Sequence, residues 1–221
     1  LTATCDHLRG VNIFRADLAS VADDLEKHAW VAHARVAREF PDTIRVIIEE
    51  RSAVALVSAG GLYAVDSSGA PFKPVTARDR LDLPVISGLT RDGLTKEDGS
   101  ANTALTTALR LIANYSAHPM SVRAPLSEVR ITEEAGESSF VAFCGDDAVE
   151  VRFGVLSGNA EMIEKELTEI MTRLERVWVD LSLRNARPRM LDLGNRLRPD
   201  WVPARFESAP VALGKEDSKQ K

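Results

Sequence analysis

From Leu18 the apolar residues recur at helical spacing: Leu18, Val21, Ala22 and Leu25 fall at i, i+3, i+4 and i+7, with Asp23, Asp24, Glu26 and Lys27 on the other face. Asp17 is a good N-cap for this helix, and His28 sits where a cation favours its C-terminus. The period then changes to two. Residues 30–38 alternate Ala32, Ala34 and Val36 against His33, Arg35 and Ala37. Thr43–Glu50 sets Ile44, Val46 and Ile48 against Arg45, Ile47 and Glu49. Between the runs, Phe40-Pro41-Asp42-Thr43 is a turn signal, because Pro fixes φ and Asp bonds back to the backbone. Helix, strand and strand in this order predict a small α+β domain with helices on one face of a short sheet.

A third strand is expected over 53–57, with the sheet running on from the hairpin near 51–53. Gly60-Gly61 is a hairpin signal, residues 62–65 return, and Ser67-Ser68-Gly69 turns again before Pro71-Phe72. This spacing predicts a β-meander. Residues 92–102 form a polar loop. A second amphipathic helix follows over 103–115, with Leu105, Ala108, Leu109 and Ile112 on one side. Strands are expected over 126–132, 138–144 and 148–153, with Gly145-Asp146-Asp147 turning the last pair. Asn159 caps a third helix, whose stripe is Ile163, Leu167, Ile170, Met171 and Leu174. Two final strands are expected over 176–183 and 187–193. The Pro-interrupted tail from Asn195 ends in GKEDSKQK and is expected to be partly disordered.

The domains expected are thus 1–52, then a mixed, mainly antiparallel β-domain with helices over 53–194, then the tail over 195–221. A chain of 221 residues suffices for this without staples. The net charge of −5 carries no electrostatic footprint for nucleic acid, and an anionic membrane surface would be a poor partner. No run approaches the roughly 18 apolar residues of a membrane span, and there is no signal peptide. The chain opens with Leu1, in the middle of what reads as a helix, so a fragment of a longer protein is expected. Cys5 and Cys144 read as unpaired thiols and do not decide the redox compartment.

Chemistry-bearing patterns are sparse. Of His7, His28, His33 and His118, only His28 and His33 have ligand-like spacing, and they fall on different elements, so no metal site is expected. There is no G-x-S-x-G, Walker loop or G-x-G-x-x-G. Ser138-Ser139 lies on a strand with no histidine nearby in sequence. The pairs Asp23-Asp24, Glu49-Glu50, Glu133-Glu134 and Asp146-Asp147 read as solvated faces, strand ends or turns. Trp30, Trp178 and Trp201 read as core or interface anchors. No catalytic residue, cofactor or small-molecule substrate is expected.

One stretch is more specific. It reads G-V-N-I-F-R-A-D-L, then L-E-K-H-A-W-V, then A-R-V-A-R-E-F-P-D-T-I-R-V-I-I-E-E-R-S-A-V-A-L. This resembles the FtsQ/DivIB family of bacterial cell-division proteins, whose first exported domain is a POTRA domain. The positions carrying the likeness are Trp30, Val31, Ala34, Val36, Arg38, Pro41, Asp42, Glu50, Arg51, Ala53 and Ala55. Trp30 is expected to anchor the helix end. Val36, Ile44 and Val46 are expected on the hydrophobic face, and Arg38 in a cross-strand ion pair with Glu49 or Glu50. Further likeness lies in Leu62-Tyr63-x-x-Asp66-x-x-Gly69-x-x-Phe72, Leu83-Pro84-Val85-Ile86-x-Gly88, Val149 to Gly154 and Val179-Asp180-Leu181. Against the family pattern, the first POTRA strand and the preceding membrane helix are missing, and the exit strand lacks a proline. Pro188 suits an edge strand or bulge.

The resemblance implies a non-catalytic scaffold that binds FtsB/DivIC and FtsL, contacts other divisome components and helps regulate septal cell-wall synthesis. It implies a single-pass inner-membrane protein, held by a missing N-terminal anchor, with this region on the periplasmic side at the division septum. The family's β-domain receives a partner segment on its C-terminal edge strand, by β-augmentation. The residues this assigns here are Leu183, Arg189, Met190, Leu191 and Asp192. A weaker recruitment surface falls on the POTRA half, at Trp30, Val31, Arg35, Val36, Arg38, Pro41, Asp42, Glu50 and Arg51. Two other classes stay open: a POTRA-type polypeptide-binding module of the outer-membrane assembly kind, and an unrecognised cell-wall hydrolase.

Overall fold

The computed structural model describes residues 10, 12–96, 99–134, 136–196, 198 and 200–206. Cys5, His7 and the tail from residue 207 lie outside them. The protein is α+β, with mixed sheets, and divides into two compact units between Leu109 and Arg110.

The first unit opens with α1 (Leu18–Glu26), which Asp17 caps: its carboxylate accepts from the backbone N–H groups of Ala19 and Ser20. Strands β1 (Val31–Glu39) and β2 (Thr43–Glu50) form an antiparallel two-stranded sheet. Val21 and Leu25 of α1 bury against Val31 and Ala34, with Val36, Val46 and Ile48 half-buried around them. The register sets Arg38 opposite Ile44, not opposite Glu49 or Glu50. Its guanidinium instead donates to the carbonyls of Ile13 at 2.8 Å and Ala16 at 2.7 Å, so the expected cross-strand ion pair does not form. The hairpin's ion pair is Arg45 with Glu39, at 2.6 Å.

After residues 51–54 come β3 (Ala55–Ser58), β4 (Leu62–Val65), β5 (Pro71–Pro74) and β6 (Val85–Ser87). They form a sheet separate from the hairpin, in the order β6-β3-β4-β5, so the hairpin sheet does not run on. Gly60, at φ +67°, closes the β3–β4 turn. Gly69 needs both its φ of +84° and its missing side chain, since a Cβ there would sit 2.9 Å from that of Ala101. Buried Ala55, Leu56, Val57, Ala64, Val65 and Ile86 supply this part of the core, with Leu105, Ala108 and Leu109 of α2 (Thr103–Ala117).

The second unit contains the rest of α2, then α3 (Met120–Arg123), β7 (Leu126–Glu134), β8 (Glu137–Cys144) and β9 (Val149–Val155). It ends with α4 (Ala160–Leu183), β10 (Pro188–Asp192) and β11 (Ala204–Phe206). Its strands lie in the order β11-β10-β9-β8-β7; β10 runs parallel to β9 and the other pairings are antiparallel. The α4 stripe of Ile163, Leu167, Ile170, Met171 and Leu174 is buried, as are Phe140, Ala142, Val151, Phe153 and Leu191 of the sheet. Tyr115 is fully buried, and its hydroxyl donates to the carbonyl of Ala124 at 2.5 Å.

The strand expected over 176–183 is the last third of α4. Val-Trp-Val-Asp-Leu-Ser-Leu alternates like a strand, but nothing in it stops a helix. The stop comes later, where Asn185 turns at φ +53° and the N–H of Arg184 still bonds to the carbonyl of Asp180. Asp180 and Arg184 also pair through their side chains at 3.0 Å, an i,i+4 pair that supports the extra turns.

Candidate functional site

Strand β10 is short and largely apolar, so its placement decides what the C-terminal region can present. Parallel pairing sets Met190 beside Glu150, Leu191 beside Val151 and Asp192 beside Arg152. Because side chains alternate across a strand, Leu191 enters the core while Met190 and Asp192 lie half-buried on the opposite face. Arg189 is exposed. Leu183, 82% exposed, ends helix α4 and is not part of the strand. The sequence-assigned residues therefore do not form one edge.

Nor is β10 the edge. Strand β11 flanks it, with Met190 opposite Arg205 and Leu191 opposite Ala204. The N–H of Asp192 donates to the carbonyl of Pro203 at 2.9 Å. That bond makes Asp192 and Pro203 a hydrogen-bonded pair, so the next pair along, Leu191 and Ala204, turns its backbone groups outward. Ala204 thus directs its N–H and C=O away from β10. All of β11 is exposed, including Phe206. Sequence reading missed β11 because three residues are too few to show a period; the preceding Pro203 and the Ala-Arg-Phe run were its only marks.

The loop between β10 and β11 is held tightly at its start. Arg173 of α4 donates to the carbonyl of Leu193 at 2.9 Å. Arg196 binds both carboxylate oxygens of Glu166, at 2.7 and 2.8 Å, and the carbonyl of Val155 at 2.6 Å. Gly194 lies directly on Gly154 of β9: a Cβ on either would come within 2.9 Å of the other's backbone. Beside these residues, on the sheet face that carries Met190 and Asp192, is an open groove of about 780 Å³. It is lined by Arg130, Glu150, Arg152, Asp192, Arg196 and Trp201, among others. Glu150 pairs with Arg152 at 2.6 Å, and Arg130 pairs with Glu128 at 3.1 Å while lying over the ring of Phe143. The groove thus presents charges of both signs beside the exposed Trp201.

The residues expected on the first unit scatter by role. Val31 is buried and Val36 half-buried in the hairpin core. Arg35 and Glu50 are exposed, as are Pro41 and Asp42 in the turn. Arg38 clamps the loop before α1. The ring of Trp30 meets Phe72 of β5 edge-on, 5.3 Å between centroids. Arg51 donates to the carbonyl of Val31 at 3.3 Å.

Chemistry has few footholds among the described residues. Ser139 is buried on β8, and its carbonyl accepts from the hydroxyl of Thr132. His118 faces Glu175 at 3.7 Å. Burial pushes the Cys144 thiol up to about 11, with its hydrogen bond with Tyr115 opposing the shift; burial also raises the Tyr115 phenol. Lys73 and two bonds from Thr76 hold the Asp79 carboxyl down at about 2. No group of three or more His, Cys, Asp or Glu among the described residues could hold a metal ion. No described helix is long and apolar enough to cross a membrane.

A family model described as POTRA domain, FtsQ-type matches residues 3–51. The chain is 36% identical over 196 residues to cell division protein FtsQ of Anaeromyxobacter sp. (strain K), covering 89% of this chain and 62% of that protein. It is 33% identical over 200 residues to cell division protein FtsQ of Myxococcus fulvus, covering 90% of this chain and 66% of that one. With cell division protein FtsQ of Syntrophotalea carbinolica it shares 34% identity over 176 residues, covering 79% of this chain and 61% of that relative. The chain thus spans just under two thirds of the length of these relatives.

Proposed function

This chain belongs to the FtsQ family of cell-division proteins, and from that premise we propose that it is a non-catalytic scaffold of the divisome, which binds FtsB/DivIC-like and FtsL-like partners. In this reading an N-terminal anchor holds it in the inner membrane. The region described lies on the periplasmic side at the septum and helps regulate septal wall synthesis.

The observation that carries the reading is β11, an exposed strand outermost in its unit among the described residues. An extended partner segment can pair with the outward N–H and C=O of Ala204, while its side chains read Phe206 and the neighbouring groove. This moves the binding edge from β10, which is paired on both sides, to β11. Met190 and Asp192 remain beside it on the groove face, and Arg189 remains exposed nearby in the chain.

The test is a pull-down and surface-binding assay with the exported segments of FtsB- and FtsL-like proteins from the same source. Ala204→Pro removes an outward donor without touching the bond from Asp192, and Phe206→Asp changes an exposed side chain. Each is expected to weaken binding about tenfold or more, the size of effect typical of a residue central to an interface. Full binding by both variants would move the site off β11, and no binding by the unaltered chain would overturn the partner assignment.

A further inference from the structure

Hairpin β1–β2 and meander β3–β5 meet at a joint built from very little backbone. The N–H of Arg51 bonds to the carbonyl of Trp30 at 2.9 Å, which fixes Arg51 to the hairpin. The N–H of Val54 bonds to the carbonyl of Val65 at 2.9 Å, which fixes Val54 to the meander. Ser52 and Ala53 lie between these two bonds, outside helix and strand, and link the two parts.

Side chains bridge the same joint. Trp30, from the hairpin side, meets Phe72 of β5 edge-to-face, with ring planes at 71°. The Lys73 ammonium lies 5.3 Å from the centroid of the Trp30 ring. Lys73 is in turn held by the Asp79 carboxylate, which also accepts from the N–H and hydroxyl of Thr76 at 2.8 and 2.9 Å. The Arg51 guanidinium lies 5.7 Å from the Phe72 centroid, reaches back to the carbonyl of Val31, and faces Asp66 at 3.7 Å. Asp66 is itself fixed by bonds from Ser68 and Ala70. Each cation thus has an aromatic face and a carboxylate that is already positioned. Such contacts tolerate salt better than an exposed ion pair, because the ring supplies part of the attraction from a half-buried face.

We propose that Trp30, Arg51, Phe72 and Lys73 form a lock on this joint. Closed, the lock makes hairpin and meander one body. Open, it lets the hairpin swing on Ser52 and Ala53 while each part keeps its own fold. The hairpin buries only a small cluster of its own, so its attachment depends on this lock more than on a shared core. The lock would set whether surfaces on the hairpin and on the meander reach a partner in a fixed arrangement. It does not depend on the partner assignment made above.

The test uses the whole chain. Trypsin reports directly, since Arg51 is itself the cleavage site and is held on both its backbone and its side chain while the lock is closed. In Trp30→Leu and Lys73→Met, cleavage after Arg51 is expected to quicken about tenfold, the loss of one aromatic or cation–ring contact. Hydrogen exchange within β1–β2 and within β3–β4 should stay unchanged, because each part keeps its own fold. Asp79→Asn, which keeps the shape of the side chain, should give about a threefold change, as expected for one partly exposed ion pair. Arg45→Met, which breaks the hairpin's own ion pair, should leave cleavage after Arg51 as it was. Unchanged cleavage in the first two variants would overturn the proposal. So would exchange rising equally in β1–β2 and β3–β4, because the change would then be a general loss of stability.

Discussion

The β1–β2 hairpin and the sheet of the second unit use the same plan, strands with a capped helix on one face, but differ in depth. The hairpin rests on Val21, Leu25, Val31 and Ala34, and its strands expose residues along most of their length. The second sheet carries fully or nearly fully buried Phe140, Val151, Phe153 and Leu191, together with Leu167, Ile170 and Leu174 of α4. Apolar burial is the dominant stabilising term. The second sheet is therefore stable within its own unit, whereas the hairpin relies on caps, clamps and its neighbours. The similar plans end as a deeply packed sheet and a lightly packed hairpin.

The sharpest way to break this contrast is in the deep core. Leu167→Ala is expected to destabilise the second unit by about 2–5 kcal/mol, from lost transfer energy and the cavity left behind. Urea melts followed by hydrogen exchange in β8 and β9 measure this. Leu25→Ala in the hairpin core should open β1 and β2 locally, with exchange in β8 and β9 unchanged. A smaller effect is expected from Tyr115→Phe, about 1–3 kcal/mol in the same melts. That variant leaves the buried carbonyl of Ala124 without the hydroxyl that satisfies it. Asp17→Ala removes the cap of α1 and should cost about 0.5–2 kcal/mol, seen as faster exchange at Ala19 and Ser20.

The smallest effect is acid dependence at the lock. The folded Asp79 carboxyl sits at about 2, below its ordinary value of 3.8, so its contribution is fully present above the ordinary carboxylate range. It is lost as the pH falls toward about 2. Tryptophan fluorescence followed from pH 5 to pH 2 is expected to show a transition that Asp79→Asn abolishes.

Much of this contrast was legible in the residues, for reasons that are local. Asp17 and Asn159 mark their helices because a cap is a bond between neighbours, and both make it. Strand β2 runs over the residues its alternation predicts. The misreadings come from what alternation does not report: where a helix stops, the register of a pair, and a strand too short for a period. Residues 176–183 alternate like a strand, but α4 continues through them to the stop at Asn185. Arg38 looked paired across the hairpin until the register set it opposite Ile44. Of the proposed binding region, Met190, Leu191 and Asp192 were found as a strand, but that strand proved to be interior. The edge itself, β11, is too short to leave a periodic trace, and the lock joins Trp30 to Phe72 and Lys73 across a stretch of chain that no spacing rule connects.

The contact of Gly154 with Gly194 has a consequence for how this sequence can vary. Most crowded positions in a core can be rescued, because a neighbouring side chain can shrink to make room. Here the atoms that would be struck are backbone on both sides, and neither residue has anything left to remove. Each glycine is held in place by the other, so a substitution at either has no second-site remedy short of moving a strand. Side-chain positions around it can change one at a time, while this point of backbone contact stays closed to substitution.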